Sequence, residues 1–158
     1  MAEPLADQVI RKIDQAAGLY HRLLMVVALA GAGKTTALYD VHERTGAPLI
    51  NVNLEVSRRM LDLTERQRTL QLPRLLSEIV NTSQGNVILL DNIEILFDVS
   101  LRQDPLRLLQ GLSRIKTVVA TWNGSIDKEQ MLYATPDHPE YRRYPVRDFL
   151  VVSPEITA

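Results

Sequence analysis

The chain has 158 residues, 46% of them hydrophobic and 23% charged, which suits one globular α/β-sized domain with a sizeable core. A formal net charge of −1 argues against a strongly basic nucleic-acid module, and the absence of cysteine excludes a disulfide framework or a thiolate metal site. His21, His42 and His138 are scattered without metal-ligand spacing.

In chain order, Leu5, Val9, Ile10, Ile13, Ala16, Ala17 and Tyr20 recur near helical spacing and predict an amphipathic helix over residues 4–21. Charges every few residues leave no apolar h-region there, so no secretory signal and a cytoplasmic location are expected. The apolar run LLMVVALA at 23–30 is too short to span a bilayer and reads as a buried strand. A glycine turn follows, then a helix from near Gly33 to just before Gly46. APLINVNL predicts a short strand over 49–53. Residues 55–83, polar with recurring leucines, predict two helices split near Pro73 or Thr64.

Val87 to Leu90 predict a buried strand ending at Asp91. Asp104-Pro105 places an N-cap before a proline, opening a helix with Leu106, Leu109, Leu112 and Ile115 along one face. KTVVATWNG predicts another buried strand, stopped by Asn123-Gly124. A short helix over 125–133, a proline-rich loop and a last strand, DFLVVSP, complete the pattern. Alternating strands and helices imply one α/β domain over 1–158: a five-stranded, mostly parallel sheet between two helical layers.

The stretch ALAGAGKT, Ala28 to Thr35, fills the pattern G-x-x-x-x-G-K-[ST] with alanine in the first place. That residue closes the strand and tolerates a Cβ if its φ stays negative. Backbone amides of Ala30, Gly31, Ala32, Gly33, Lys34, Thr35 and Thr36 are expected to curl around phosphate oxygens, with Lys34 reaching the β- and γ-phosphates. Thr35 supplies a hydroxyl for Mg²⁺. An ordinary strand–helix turn would need no Lys-Thr pair.

Magnesium requires a carboxylate opposite the loop, and Asp91 at the end of VILLD meets that description; a strand-end cap is its structural alternative. No lysine or arginine occurs from Leu75 to Leu101, so the field there favours a cation. Hydrolysis also needs a group to polarise water. Asn92 stands where a glutamate often follows the aspartate, and Glu94 either reaches in or remains a solvated loop acid. Thr121 or Asn123 would point at the γ-phosphate, with a turn-forming role as the alternative for Asn123 before Gly124. Arg142 and Arg143, before the last strand, could stabilise transition-state charge in a neighbouring subunit, or form a solvated pair; Arg114 is a weaker substitute.

Over residues 23–153 these features resemble the core of AAA+ and RecA-like P-loop ATPases. The resemblance implies a sheet ordered 5-1-4-3-2 and ATP with Mg²⁺ held between subunits of a homo-oligomer. The chain stops soon after FLVVSP, so no C-terminal lid domain is expected. In size, and in the stretches ALAGAGKTTAL, NVILLDNIEILF and VVATWNGSID, it is similar to the small BrxF-like proteins of type 3 BREX phage-defence systems. That likeness implies an ATP-binding, slowly hydrolysing assembly or switch subunit. Its implied partners are a large ATPase, a DNA methyltransferase, an alkaline-phosphatase-like protein and a helicase. The alternatives are a non-hydrolysing nucleotide-held interaction module and a small-molecule kinase, for which Glu55 is the only acid near the second strand. Arg58, Arg59, Arg66, Arg68 and Arg74 interleave with Glu55, Asp62 and Glu65, so a mixed solvated face is expected over direct DNA binding, and no membrane partner is expected.

Overall fold

The computed structural model describes residues 3–154; residues 1–2 and 155–158, the ends of the expected domain, lie outside the described residues. Apolar runs form the centre of the sheet because both faces of these strands are covered. β1 (Leu23–Ala28) is buried at all six positions, and β3 (Val87–Asp91) and the first half of β4 (Thr117–Asp127) nearly so. β2 (Leu49–Asn51) and β7 (Leu150–Val152) flank them in the order β2-β3-β4-β1-β7, all parallel. In terms of the five expected strands this is 5-1-4-3-2.

Alternation along each strand divides the core in two. Met25, Val27, Ile88, Leu90, Val118 and Ala120 face one cluster, completed by helices α3 (Val52–Met60), α4 (Glu65–Thr82) and α5 (Pro105–Leu112). Leu24, Val26, Leu89 and Val119 face the other, completed by α1 (Leu5–Ala16) and α2 (Lys34–Thr45). The protein is thus an α/β fold with a mostly parallel sheet between helical layers. No helix among the described residues is long and apolar enough to cross a membrane.

The first helix is shorter than its periodicity predicts. After Ala16 the chain leaves α-geometry through tight turns, with Gly18 N donating to Gln15 O and Leu19 N to Ala16 O, and Tyr20 is left exposed. The leucine-rich region divides at Thr64 and not at Pro73. Thr64 and Gln67 form a reciprocal capping box that starts α4. Pro73 lies inside that helix, where it lacks the N–H that would serve the carbonyl of Thr69. Gln103 Nε2 donates to that carbonyl at 2.8 Å instead, which explains how the helix runs through its proline.

The largest correction falls on residues 125–133, which form no helix. β4 continues past Asn123-Gly124 to Asp127 and turns back into β5 (Gln130–Tyr133), which pairs with β6 (Arg142–Pro145). The sheet therefore has seven strands, two of them an antiparallel ribbon extending β4. The hairpin turn is Lys128-Glu129, both with positive φ (49° and 64°), the two-residue geometry that matches strand twist. Gly124 has another purpose: a Cβ there would lie 1.8 Å from the Leu132 carbonyl oxygen, which also accepts the Trp122 indole N–H at 3.0 Å. Glycine is required by close approach, not by a turn.

Candidate functional site

The carboxyl ends of β1 and β3 and the middle of β4 converge on one polar cavity of about 400 Å³. It is lined by Ala30, Gly31, Gly33, Lys34, Thr35, Thr36, Asp91, Asn92, Glu94, Thr121 and Asn123. In parallel sheets this end of the strands is where ligands bind, because the connections to the helices open there. A larger concavity of about 480 Å³ lies at the other end of the sheet, among Ile10, Ile13, Asp14 and the segments entering β2 and β3. It contains no cationic group and one carboxylate, so no comparable chemistry assembles there.

The loop between β1 and α2 turns through Gly31 (φ 83°) and Gly33 (φ 89°), conformations that L side chains adopt only under strain. Gly33 is the N-cap of α2 and contributes no side-chain acceptor. In α3, α4 and α5 that position is held by Asn51, Thr64 and Asp104, each accepting from the first-turn amides. The first-turn N–H groups of α2 thus have no side-chain cap, and the helix dipole favours an anion beside them. Ala32 is the one expected loop residue that does not line the cavity. Its N–H closes the loop internally onto Leu29 O at 3.2 Å.

Lys34 is only 6% exposed, and its Nζ donates to Ala28 O and Leu29 O, both at 2.8 Å. Burial lowers its pKa from the ordinary lysine value, while Asp91 and Glu94 act to raise it. Asp91, 5% exposed, accepts the Thr121 hydroxyl hydrogen at 2.7 Å, which ties the end of β3 to the middle of β4 inside the cavity. Glu94 reaches in because the chain after Asp91 folds tightly. Asn92 adopts a left-handed φ of 53°, and a 3₁₀ turn, Glu94–Phe97, begins two residues later. Asn53 braces this turn from α3: its N–H donates to Asn92 O and its Oδ1 accepts from Ile95 N, each at 2.8 Å. Burial raises the Glu94 pKa above the usual carboxylate range; Asp91 raises it further, and its own backbone N–H and Lys34 act the other way.

Asn123 sits mid-strand and lines the cavity, so its turn-forming alternative is removed. Beneath it, the fully buried Trp122 packs edge-on against Phe97, Tyr133 and Tyr144, with ring centroids 5.0–5.9 Å away. This aromatic cluster holds β4 rigid under Thr121 and Asn123. Burial pushes the Tyr133 phenol up to about 12.

The arginines are not where the sequence places them. Arg142 and Arg143 belong to β6, not to a loop before the last strand. Arg142 shares the ribbon face with Tyr133 and Tyr144, and its guanidinium donates to Gln103 O at 3.0 Å, so it is committed to the fold. Arg143 lies opposite Leu132 and Ser125 on the other face, the one that carries Thr121 and Asn123. It is exposed and enters no ion pair or side-chain hydrogen bond among the described residues. Arg114 precedes the amino end of β4, its guanidinium carbon 5.2 Å from the centre of the Tyr20 ring, at the opposite end of the strand from Thr121 and Asn123. Of the arginines between β2 and β3, Arg58 and Arg74 pair with Glu55 and Glu78 on their own helices, and Arg68 Nε donates to Leu63 O.

Asn53 is the supporting residue that sequence reasoning missed. Its signal was available: an asparagine within NVNL, two residues past the end of β2. Among the described residues no group of three or more His, Asp or Glu gathers to hold a metal by itself. A cation here would depend on Thr35, Asp91 and a ligand's own oxygens, the pattern Mg²⁺ favours. No protein-family model matches this chain, and neither a curated protein nor a solved structure matches it.

Proposed function

We propose that this cavity binds Mg-ATP as a P-loop site and that the protein is a weak, assembly-dependent ATPase. The observation that carries the reading is the combination of an uncapped helix start, two left-handed glycines and a buried lysine, facing a buried carboxylate across one cavity. A neutral or apolar ligand would leave those amides without an anion and the ammonium bonded only to neutral carbonyls. A polyphosphate satisfies both. Lys34 exchanges neutral carbonyl acceptors for charged phosphate oxygens, a stronger class of hydrogen bond. The Thr35 hydroxyl and Asp91 would hold the magnesium ion, which when bound neutralises charge on the phosphates.

Glu94 is the group best placed to accept a proton from an attacking water, and its raised pKa brings it closer to the range useful to a base near neutral pH. Thr121 holds Asp91 through the 2.7 Å hydrogen bond, and Asn123 offers an amide toward the terminal phosphate. Arg143, exposed on the ribbon face that carries Thr121 and Asn123, is the arginine available to reach the nucleotide of a neighbouring copy, in a homo-oligomer with nucleotide at the subunit interface. The partners read from the BrxF-like resemblance, the BREX defence proteins, belong to this proposal on that resemblance alone. A non-hydrolysing, nucleotide-held module is the second reading, favoured by Asn92 in the place often taken by a catalytic glutamate.

Phosphate release from Mg-ATP across a range of protein concentrations tests the proposal. Turnover is expected to climb with concentration, to vanish in Lys34→Ala, and to fall by roughly 10³-fold or more in Arg143→Ala. Glu94→Gln is expected to lower turnover about 10²-fold while retaining nucleotide. Turnover independent of concentration would remove the shared arginine. ATP bound without turnover at any concentration would establish the second reading.

A further inference from the structure

The anion loop accounts for phosphates but not for the rest of a nucleotide. Beside it, a second, shallow concavity is lined by Thr35, Thr36, Tyr39, Asp40 and Glu43. Thr35 and Thr36 also line the main cavity, so the two are continuous across the first turn of α2. Tyr39 is 56% exposed, so its ring is open to a ligand. It lies three and four residues after Thr36 and Thr35, on the same helix face and one turn along. Helical side chains lean toward the helix amino end, so the Tyr39 ring covers the turn that carries the two threonines. Its edge-on contact with His42, centroids 6.1 Å apart, steadies the ring from the following turn without covering its faces with another stacked ring.

Resting on the Mg-ATP reading above, we propose that Tyr39 is the stacking platform for the nucleobase, with the ribose passing over Thr36. Stacking on an aromatic face is tolerant of base identity and strongest for large rings, so the class preferred is a purine nucleotide. Asp40 and Glu43 also line this concavity, and Asp40 is 3.4 Å from Arg44.

The test is calorimetric titration of Mg-ATP and, separately, magnesium tripolyphosphate into the unmodified protein, Tyr39→Ala and Tyr39→Phe. Tyr39→Ala is expected to weaken Mg-ATP about tenfold, equivalent to about 1.4 kcal/mol, and to leave tripolyphosphate unchanged. Tyr39→Phe is expected to bind both as the unmodified protein does. Unchanged ATP affinity in Tyr39→Ala, or an equal loss for both ligands, overturns the base platform while leaving the phosphate site standing. An altered oligomeric state with unaltered affinity overturns it too, and assigns the ring to a subunit contact. If the unmodified protein binds neither ligand, the phosphate-site reading itself fails.

Discussion

Lys34 and Glu94 share one cavity, and burial works against the charge on each. For Lys34 the loop carbonyls offset part of that cost. Glu94 is only half-buried, so water screens much of the penalty. The sign of its effect is still definite. Folded Glu94 keeps its proton to higher pH than the unfolded chain does, so the native state holds more protons between the ordinary carboxylate range and the raised value. Stability contributed by this group is therefore present below that window and lost as pH rises through it. Glu94→Gln is expected to raise the melting temperature at pH 7 by up to about 2 °C, with the gain disappearing below about pH 4. Thermal unfolding across that pH range checks it; a gain that persists in acid would contradict the assignment. At this scale the turn between β1 and α2 was legible from spacing alone, because Gly31 and Gly33 stand where only a left-handed backbone fits. Glu94 was not, since its reach depends on the left-handed Asn92 and the brace from Asn53. Nor was the commitment of Arg142, whose partner Gln103 lies 39 residues away in sequence.

Among the elements, the buried strands were readable because uninterrupted apolar runs have few other uses in a chain of this composition. Helix starts were readable where a cap announced them, as with Asp104 before Pro105, whose Oδ1 also accepts the Tyr144 hydroxyl hydrogen. The β5–β6 ribbon was misread for a specific reason. The usual hairpin signal, Asn-Gly, stands at Asn123-Gly124, inside the strand, whereas the real turn uses Lys128 and Glu129. Both residues pay backbone strain at positive φ that asparagine and glycine would relieve. The double change Lys128→Asn with Glu129→Gly is expected to stabilise the protein by about 1 kcal/mol, or roughly 2–4 °C. A neutral or destabilising result on thermal unfolding would mean that the two side chains hold the ribbon in some other way.

At the scale of the molecule, the sheet order brings the ends of β1 and β3 and the middle of β4 side by side, although their residues are spread from Ala28 to Asn123. Helices on both faces leave that edge as the place where polar side chains can gather without unfilled core beneath them. The same order follows from the P-loop resemblance, while the seven-stranded count and the ribbon do not. The ribbon matters because it carries Arg143 outward on the face that bears Thr121 and Asn123. We propose that the gathered edge binds a magnesium nucleotide through Lys34. The most direct measurement of this is equilibrium binding of Mg-ATP to the unmodified protein and to Lys34→Ala, with thermal unfolding of both as the check on folding. Saturable binding of one nucleotide per chain, lost by at least about tenfold in a folded Lys34→Ala protein, is the result expected. Equal affinity in the two proteins, or no binding to the unmodified one, would contradict it.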